Sequence, residues 1–287
     1  MYGRHISVKT SDFYGSIRSA HEHYGSKAHQ IVMKSPQRKQ LSPLSKDDAE
    51  KCKAYIEEHG LYIVAHSGYL FNIAADPTTN AYAVETAVDD LVTVSDLGGR
   101  GAVFHVGKHK KMGEETGVNN MYFNVHSILT ESVGLAPDSI FILETAAGQG
   151  TECCRRLEQL AAFRNMFDEE EKRRIRFCLD TCHMFSAGYD FRTREAVVAF
   201  EKEVENTIGW DTVEVIHFND SKNELNARVD RHEKIGEGYI GADGLRAFAQ
   251  MAAKYKIPLI METPILKTDT LDDLKQELDV VGKMYTS

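Results

Sequence analysis

The stretch IRFCLDTCHMFSAGYD (175–190) joins a short apolar run to two side chains that can bind a metal. The run IRFCL ends at Asp180, and His183 follows three residues later. Short apolar segments rich in Val, Ile and Phe are typical of parallel strands that are buried on both faces. A carboxylate and an imidazole at the end of such a strand raise the question of what holds them there.

The same kind of segment recurs along the chain. Eight apolar segments are candidate strands, and each is followed by a stretch that is compatible with a helix. They are YGRHIS (2–7), HQIVMK (29–34), YIVAH (62–66), GAVFH (101–105), SIFILE (139–144), RFCLD (176–180), VEVIH (213–217) and PLIME (258–262). Helical spacing is clearest in residues 81–98, 153–167 and 195–209.

Eight strand-helix units in 287 residues predict an α/β fold, a single-domain (β/α)8 TIM barrel over residues 1–287. No Gly-, Ser- or Pro-rich linker divides the chain. The alternative, a doubly wound open sheet, requires a glycine-rich phosphate loop after the first strand. The first strand, GRHIS, has no such loop.

Composition narrows the class of protein further. No stretch approaches the roughly 18 apolar residues of a membrane span, and the first residues resemble no targeting peptide, so we expect a soluble intracellular protein. Five cysteines without a CxxC pair argue against a disulfide framework. The formal charge of −9 does not by itself indicate nucleic-acid binding.

Six of the eight candidate strands end on a potential metal ligand, about one strand-helix unit apart. These ligands are His66, His105, Glu144, Asp180, His217 and Glu262. In a TIM barrel the carboxyl ends of the strands meet at one face. A lone residue of this kind is more often a hydrogen-bonded core histidine or a helix cap. Six on one rim favour a metal, because unpaired buried carboxylates cost several kcal/mol each.

The segment RVDRHEKIGEGYIG (228–241) adds a D-x-H pair, Asp230 and His232. In an extended segment both side chains point to the same side and can bind one ion. Together with His183 the candidate ligands number nine, more than two ions can comfortably use. Imidazoles and carboxylates without thiolates favour zinc, with manganese or iron as alternatives.

These motifs resemble the endonuclease IV-like apurinic/apyrimidinic (AP) endonucleases, zinc enzymes of DNA base-excision repair that are built on a TIM barrel. The resemblance runs through nearly the whole chain. Its most specific parts are LETAAGQGTE (143–152), CLDTCHMFSAGYD (178–190), HFNDSK (217–222) and RVDRHEKIGEGYIG (228–241).

The resemblance implies three zinc ions and assigns nine ligands to them. The first ion takes His66, His105 and Glu144; the second takes Glu144 as a bridge together with Asp180, His217 and Glu262; the third takes His183, Asp230 and His232. It also makes Glu144 and Glu262 the catalytic carboxylates, with Glu262 helping to position or deprotonate the attacking water.

The activity implied by the resemblance is hydrolysis of the phosphodiester 5′ to an abasic site in duplex DNA, which leaves a 3′-hydroxyl. Trimming of 3′ ends is a possible accompanying activity of this family. Divalent cations suit this reaction because the phosphodiester repels a hydroxide and its alkoxide leaves poorly. The reaction requires no partner subunit and no membrane, so we expect a monomer.

The resemblance also suggests residues that contact DNA. Tyr69 matches a family position that enters the duplex, and the loop SPQRKQ (35–40) places Gln37, with Arg38 beside it, where the family has an inserting arginine. Basic residues in loops that follow strands predict a positive rim on an otherwise acidic protein. Those taken as DNA contacts are Lys108, Lys222 and Arg231.

A metal-dependent sugar isomerase or epimerase is the leading alternative function. Related barrels use His, Asp and Glu at strand ends to bind one or two ions that polarise a carbonyl group. Such an enzyme does not need the Asp230 and His232 pair or a basic rim. About three zinc ions per chain therefore favour the nuclease, whereas one or two with sugar turnover favour the isomerase.

Overall fold

The computed structural model describes residues 1–9, 11–32, 44–68 and 71–286, and eight parallel strands in it close into a barrel. The described strands are β1 (Tyr2–Ile6), β2 (Ala28–Val32), β3 (Tyr62–His66), β4 (Gly101–His105), β5 (Ile140–Glu144), β6 (Ile175–Asp180), β7 (Val213–His217), β8 (Asp220–Ser221), β9 (His232–Glu233) and β10 (Leu259–Met261). The barrel order is β1-β10-β7-β6-β5-β4-β3-β2, while β8 and β9 form a separate antiparallel hairpin. The predicted fold class, a single-domain (β/α)8 TIM barrel, is confirmed.

Helices connect the strands around the outside. They are α1 (Phe13–Tyr24), α2 (Lys46–His59), α3 (Ala81–Asp96), α4 (Glu114–Ser132), α5 (Leu157–Arg164), α6 (Glu169–Arg174), α7 (Thr181–Ser186), α8 (Arg194–Thr207), α9 (Gly241–Lys254) and α10 (Leu271–Thr286). Two short 3-10 turns lie at Pro77–Thr79 and Trp210–Thr212. Among the described residues, every helix is too short or too polar to cross a bilayer.

Helix boundaries differ from the sequence expectation in one instructive place. The helix expected over 153–167 is confined to α5, Leu157–Arg164. Cys154 has a φ of 51°, in the left-handed region, so the chain cannot be helical there. Both cysteines of the pair, Cys153 and Cys154, are buried in the core instead. These two buried residues extend the helix-like sequence pattern of residues 153–167 although the chain is not helical at their positions.

Two apolar layers form the core because strand side chains alternate between the faces of the sheet. Outward-facing residues such as Phe104 and Leu143 pack under the helices. The inward-facing residues fill the barrel interior and form a small cluster of their own. Its members are Ala28, Val64, Val103, Ile140, Ile142, Cys178, Val215 and Ile260. The next inward position along each strand, two residues further on, lies at the carboxyl-end mouth.

Candidate metal centre

The inward-facing position at the mouth of the barrel is polar on every strand. Two residues after an interior apolar residue stand His66, His105, Glu144, Asp180, His217 and Glu262, and the corresponding positions of β1 and β2 hold His5 and Gln30. Glu262 lies one residue beyond its strand, whereas five other ligand candidates are the last residue of theirs. The period of two along each strand therefore explains why the predicted ligands converge.

Glu144 occupies the centre of this ring and is fully buried. Its Oε2 lies 3.3 Å from His66 Nε2 and 3.0 Å from His105 Nδ1. His66 donates its other ring proton, on Nδ1, to the carbonyl oxygen of Ser67 at 2.8 Å. That hydrogen bond directs Nε2 of His66 toward the carboxylate. These three ligand candidates meet around one oxygen of Glu144.

The other oxygen of Glu144 faces a second group of ligand candidates. His217 Nδ1 lies 2.9 Å from Glu144 Oε1, 3.2 Å from Glu262 Oε2 and 3.8 Å from Asp180 Oδ2. One ligand atom from each of these four residues lies within 4.8 Å of the others, close enough to surround one cation. Glu144 thus presents one oxygen to each of two neighbouring groups.

Asp180 caps a helix and also faces the other ligand candidates. Its Oδ1 accepts a hydrogen bond from the backbone N–H of His183 at 2.8 Å and caps the N-terminus of α7. Its Oδ2 accepts a hydrogen bond from Asn219 Nδ2 at 2.8 Å and faces His217. The helix cap therefore fixes the carboxylate and leaves the second oxygen directed into the site.

The third group lies beside the second and combines α7 with the hairpin. Asp230 Oδ1 is 3.1 Å from His183 Nε2 and 3.5 Å from His232 Nε2. Each histidine donates its Nδ1 proton to a carbonyl oxygen, His183 to Thr145 at 2.8 Å and His232 to Glu262 at 3.0 Å. With Nδ1 engaged in this way, Nε2 is the nitrogen left to bind a cation.

The hairpin that carries the third group is anchored by one buried carboxylate. Asp220 is fully buried and accepts hydrogen bonds from five backbone N–H groups. The donors are Ser221, Gly236, Gly238, Ile240 and Gly241. Asp220 also pairs with Glu233 across the hairpin, next to His232. The turn that follows the D-x-H pair is thereby tied to the barrel.

Protons on the histidines supply positive charge next to the carboxylates of the site. Burial alone lowers the pKa of His66, His183 and His217, but their neighbours outweigh it and raise all three, the last two well above the usual value of 6.5. The neighbours are carboxylates for His66 and His183, and Cys178 followed by carboxylates for His217. Burial raises the pKa of Glu144 and Glu262, yet the neighbouring histidines lower both, to about 2 for Glu262. The carboxylates therefore stabilise positive charge in the site, whether it is carried by protonated histidines or by a bound cation.

A divalent cation fits the donor set of the third group in particular. The Nε2 atoms of His183 and His232 are buried and, within the described part of the chain, make no hydrogen bond, although Asp230 lies close to both. Two buried nitrogens that point at one carboxylate without a hydrogen bond are suited to a shared ion. Imidazole and carboxylate donors of this kind are usual zinc ligands.

Cys182 lies close enough to be considered a ligand, but its thiol is already engaged in a hydrogen bond. Its thiol lies within 4.8 Å of ligand atoms of Asp180 and His232. Burial raises the pKa of the thiol to about 12, and its Sγ–H donates to the carbonyl oxygen of Arg231. The imidazoles and carboxylates around it, which need not break such a bond, are therefore the stronger candidates. Cys178 and Cys182 are both completely buried, as is usual for free cysteines that pack as small apolar residues.

Sequence analysis missed several residues that hold the ligand candidates in place. Asn219 donates to Asp180 and accepts from the backbone N–H of Glu262, and Gln149 Oε1 accepts from the backbone N–H of Asp230. Gln30 contacts both His217 and Glu262. These are amides, which are common in any loop or strand. The alternation of two along HQIVMK places Gln30 on the inward face but does not say how far along the barrel it lies.

The residues expected to contact DNA are only partly described by the structure. Lys108, Lys222 and Arg231 are on segments at the carboxyl-end face; Lys108 lies 3.4 Å from Glu152, and Lys222 lies 3.9 Å from Glu233. Arg231 donates to the carbonyl oxygen of its neighbour Asp230. Gln37, Arg38 and Tyr69 lie outside the described residues, so their predicted roles stay predictions.

Comparison with known proteins agrees with this geometry. Residues 17–284 match the profile of the xylose isomerase-like TIM barrel family. A putative endonuclease 4 of Acanthamoeba polyphaga mimivirus is 33% identical over 271 residues, which are 92% of this chain and 85% of the relative. The crystal structure of endonuclease IV from Thermus thermophilus superposes with a TM-score of 0.83 at 27% identity, covering 98% of this chain and 99% of that one.

Sugar-epimerase structures share the fold at lower similarity. A D-tagatose 3-epimerase-like protein has a TM-score of 0.68 at 20% identity and covers 98% of each chain, a likeness that concerns the barrel alone. The class defined by fold and site is therefore a xylose isomerase-like TIM barrel with clusters of His, Asp and Glu side chains that could bind metal ions. Within that class, this chain belongs to the endonuclease IV-like AP endonuclease family, a family of nucleases.

Proposed function

We propose that this protein is a zinc-dependent AP endonuclease that hydrolyses the phosphodiester 5′ to an abasic site in duplex DNA and leaves a 3′-hydroxyl. The observation that carries the proposal is the grouping of nine imidazole and carboxylate side chains into three adjacent sets at the barrel mouth. Family membership supports the endonuclease class. The distances within the sets support the dependence on metal.

Each set is assigned one ion. The first comprises His66, His105 and Glu144; the second comprises Glu144, Asp180, His217 and Glu262; the third comprises His183, Asp230 and His232. When bound, divalent cations supply a nucleophile at neutral pH and neutralise charge on the phosphodiester. Glu144 suits the bridging position because its two oxygens face different sets. Zinc is preferred to manganese or iron on the basis of donor type.

The chain's own groups orient the reaction. Glu262 is an ionised carboxylate with a strongly lowered pKa, and it lies in the second set beside a cavity of about 310 Å³. The cavity is also lined by His5, His66 and His232, so a phosphate placed in it would lie between the sets. We assign Glu262 to hold the attacking water in line with phosphorus through a hydrogen bond.

Recognition of DNA is assigned to the carboxyl-end face around the cavity. Lys108, Lys222 and Arg231 supply positive charge there on a chain whose net charge is −9. Binding through phosphates would weaken with salt. Tyr69, Gln37 and Arg38 are proposed to contact the DNA at the abasic site, where no base edge is available to be read.

The direct test is incubation of the purified protein with a duplex that carries one abasic site, with and without a chelator. Cleavage 5′ to the site, lost with the chelator and restored by zinc, is the expected result. Glu262→Gln should nearly abolish cleavage and keep binding to the damaged duplex, because the shape of the side chain is preserved. Intact strands under every metal condition would refute the proposal.

The same preparation distinguishes the nuclease from the alternative function, a sugar isomerase. An isomerase would bind one or two ions and convert a ketose, and it would be insensitive to changes in Asp230 or His232. The nuclease requires both residues. Turnover of sugars combined with an inert abasic duplex would assign the chain to the alternative class.

A further inference from the structure

Gln30 is buried in the barrel mouth and contacts three polar side chains of the candidate centre. Its Nε2 donates to Glu262 Oε1 and lies 3.3 Å from His5 Nδ1, and its Oε1 lies 2.7 Å from His217 Nε2. Both donors and the acceptor of the amide are therefore used. None of the metal sets includes Gln30, and its amide is not a preferred zinc ligand.

The orientation of this amide follows from its partners. An ionised Glu262 can only accept hydrogen bonds, so the NH₂ group of Gln30 must face it. The carbonyl oxygen is then left facing His217, and since a carbonyl can only accept, Nε2 of His217 must carry a proton. The reverse orientation would place an oxygen against a carboxylate. The contacts thus define one arrangement of the amide.

A proton on Nε2 determines which nitrogen of His217 can bind a cation. A cation binds a ring nitrogen only after that nitrogen has lost its proton, and since Gln30 keeps the proton on Nε2, Nδ1 is the nitrogen that can give up its own. Nδ1 is the nitrogen that faces Glu144 at 2.9 Å and Glu262 at 3.2 Å. The amide that selects this tautomer also holds Glu262, a second member of the same set. One side chain from β2 therefore orients two ligand candidates from β7 and β10.

We propose that Gln30 is a positioning residue that keeps His217 in the tautomer binding metal through Nδ1 and fixes the carboxylate of Glu262 beside it. The proposal rests on the metal centre of the proposed function and extends it to a residue outside the ligand sets. Partners of this kind, hydrogen-bonded to a ligand, typically affect metal affinity by about 10- to 100-fold.

Two substitutions separate the two halves of the proposal. Gln30→Met keeps an unbranched side chain of similar length and removes every hydrogen bond of the amide. The ion of the second set should therefore bind about 10- to 100-fold more weakly. Gln30→Glu keeps an acceptor for His217 but sets a carboxylate against Glu262. It should retain the tautomer of His217 and still weaken the ion of the second set.

The matched control is His29→Gln. His29 is the next residue on β2, is equally buried, and donates to the carbonyl oxygen of Ser26, away from the ligand sets. The substitution keeps a donor for that oxygen. It should leave all metal affinities unchanged and so control for disturbance of the strand itself.

The measurements are stepwise zinc affinities by chelator competition and histidine tautomers by long-range ¹H–¹⁵N NMR of the zinc-loaded protein. We expect His217 to be protonated at Nε2 and metal-shifted at Nδ1 in the wild type, with that signature lost or broadened in Gln30→Met. Wild-type affinities in Gln30→Met, a metal-shifted Nε2, or an equal loss in His29→Gln would each overturn the proposal. None of these measurements uses DNA. A protein that failed to cleave abasic sites would refute the proposed function without deciding the role of Gln30.

Discussion

Binding of zinc to the metal-free protein at pH 6 should release at least three protons per chain. The pKa values of His66, His183 and His217 are raised above 6.5, so at pH 6 these imidazoles are mostly protonated. Only the neutral imidazole binds zinc, and each must therefore lose its proton when the ion enters. The carboxylates contribute none, because the pKa values of Glu144 and Glu262 are lowered and both are already ionised.

The size of the effect follows from the same groups. For each proton displaced, the apparent binding free energy weakens by about 1.4 kcal/mol for every pH unit below the pKa of that histidine. With three such protons, apparent overall affinity should fall by up to about 1000-fold for each unit of acidification in that range. Histidines outside the sets do not contribute: the pKa values of His5 and His29 are lowered to about 4, so both are neutral at pH 6.

Calorimetric titration in two buffers with different heats of ionisation measures the number of protons. A slope of at least three is expected for the wild type, a slope about one lower for His183→Gln, and the wild-type slope for the control His29→Gln. A wild-type slope near zero would refute the reasoning, because it would mean that the imidazoles are neutral before metal binds. Equal slopes in His183→Gln and the wild type would remove His183 from the third set.

Three further predictions follow from the site. The raised pKa values of the histidines contribute stability that is present below pH 6.5 and is lost as the pH rises through their folded values. The lowered pKa values of Glu144 and Glu262 contribute stability that is present above pH 4.5 and is lost on acidification. The Tm of the metal-free protein should therefore peak between pH 4.5 and pH 6.5, and a Tm that climbs steadily to pH 8 would contradict this. Asp230→Asn should leave two ions rather than three in native mass spectra, because only the third set uses that carboxylate, and retention of three would exclude it as a ligand. Cys182→Ser should retain all three ions, since the three sets do not include the thiol and a hydroxyl can still donate to the carbonyl oxygen of Arg231; loss of one ion would make the thiol a ligand.

Most of the metal-ligand candidates could be predicted from the sequence because they end short apolar runs, and the ends of barrel strands meet at one face. Glu144 and His217 end short apolar runs, and the closure of eight parallel strands brings their side chains to 2.9 Å without any further information. The D-x-H pair was also readable, since Asp230 and His232 do face the same side.

The supporting residues were less accessible for physical reasons. Gln30 is the second residue of the predicted segment HQIVMK and the middle residue of β2, so a search of strand ends passes over it, although its side chain reaches the mouth of the barrel. Asp220 carries no ligand role and is recognisable only from five backbone N–H groups that the turn after the hairpin brings to it. Cys153 and Cys154 extend an apolar pattern that a left-handed residue interrupts.

The most direct test of the central claim is anomalous diffraction at the zinc edge from crystals of the purified protein. Three peaks at the barrel mouth are predicted. One lies among His66, His105 and Glu144, one among Glu144, Asp180, His217 and Glu262, and one among His183, Asp230 and His232. Peaks located elsewhere, or a fully loaded crystal with no peak between His183 and His232, would contradict the account.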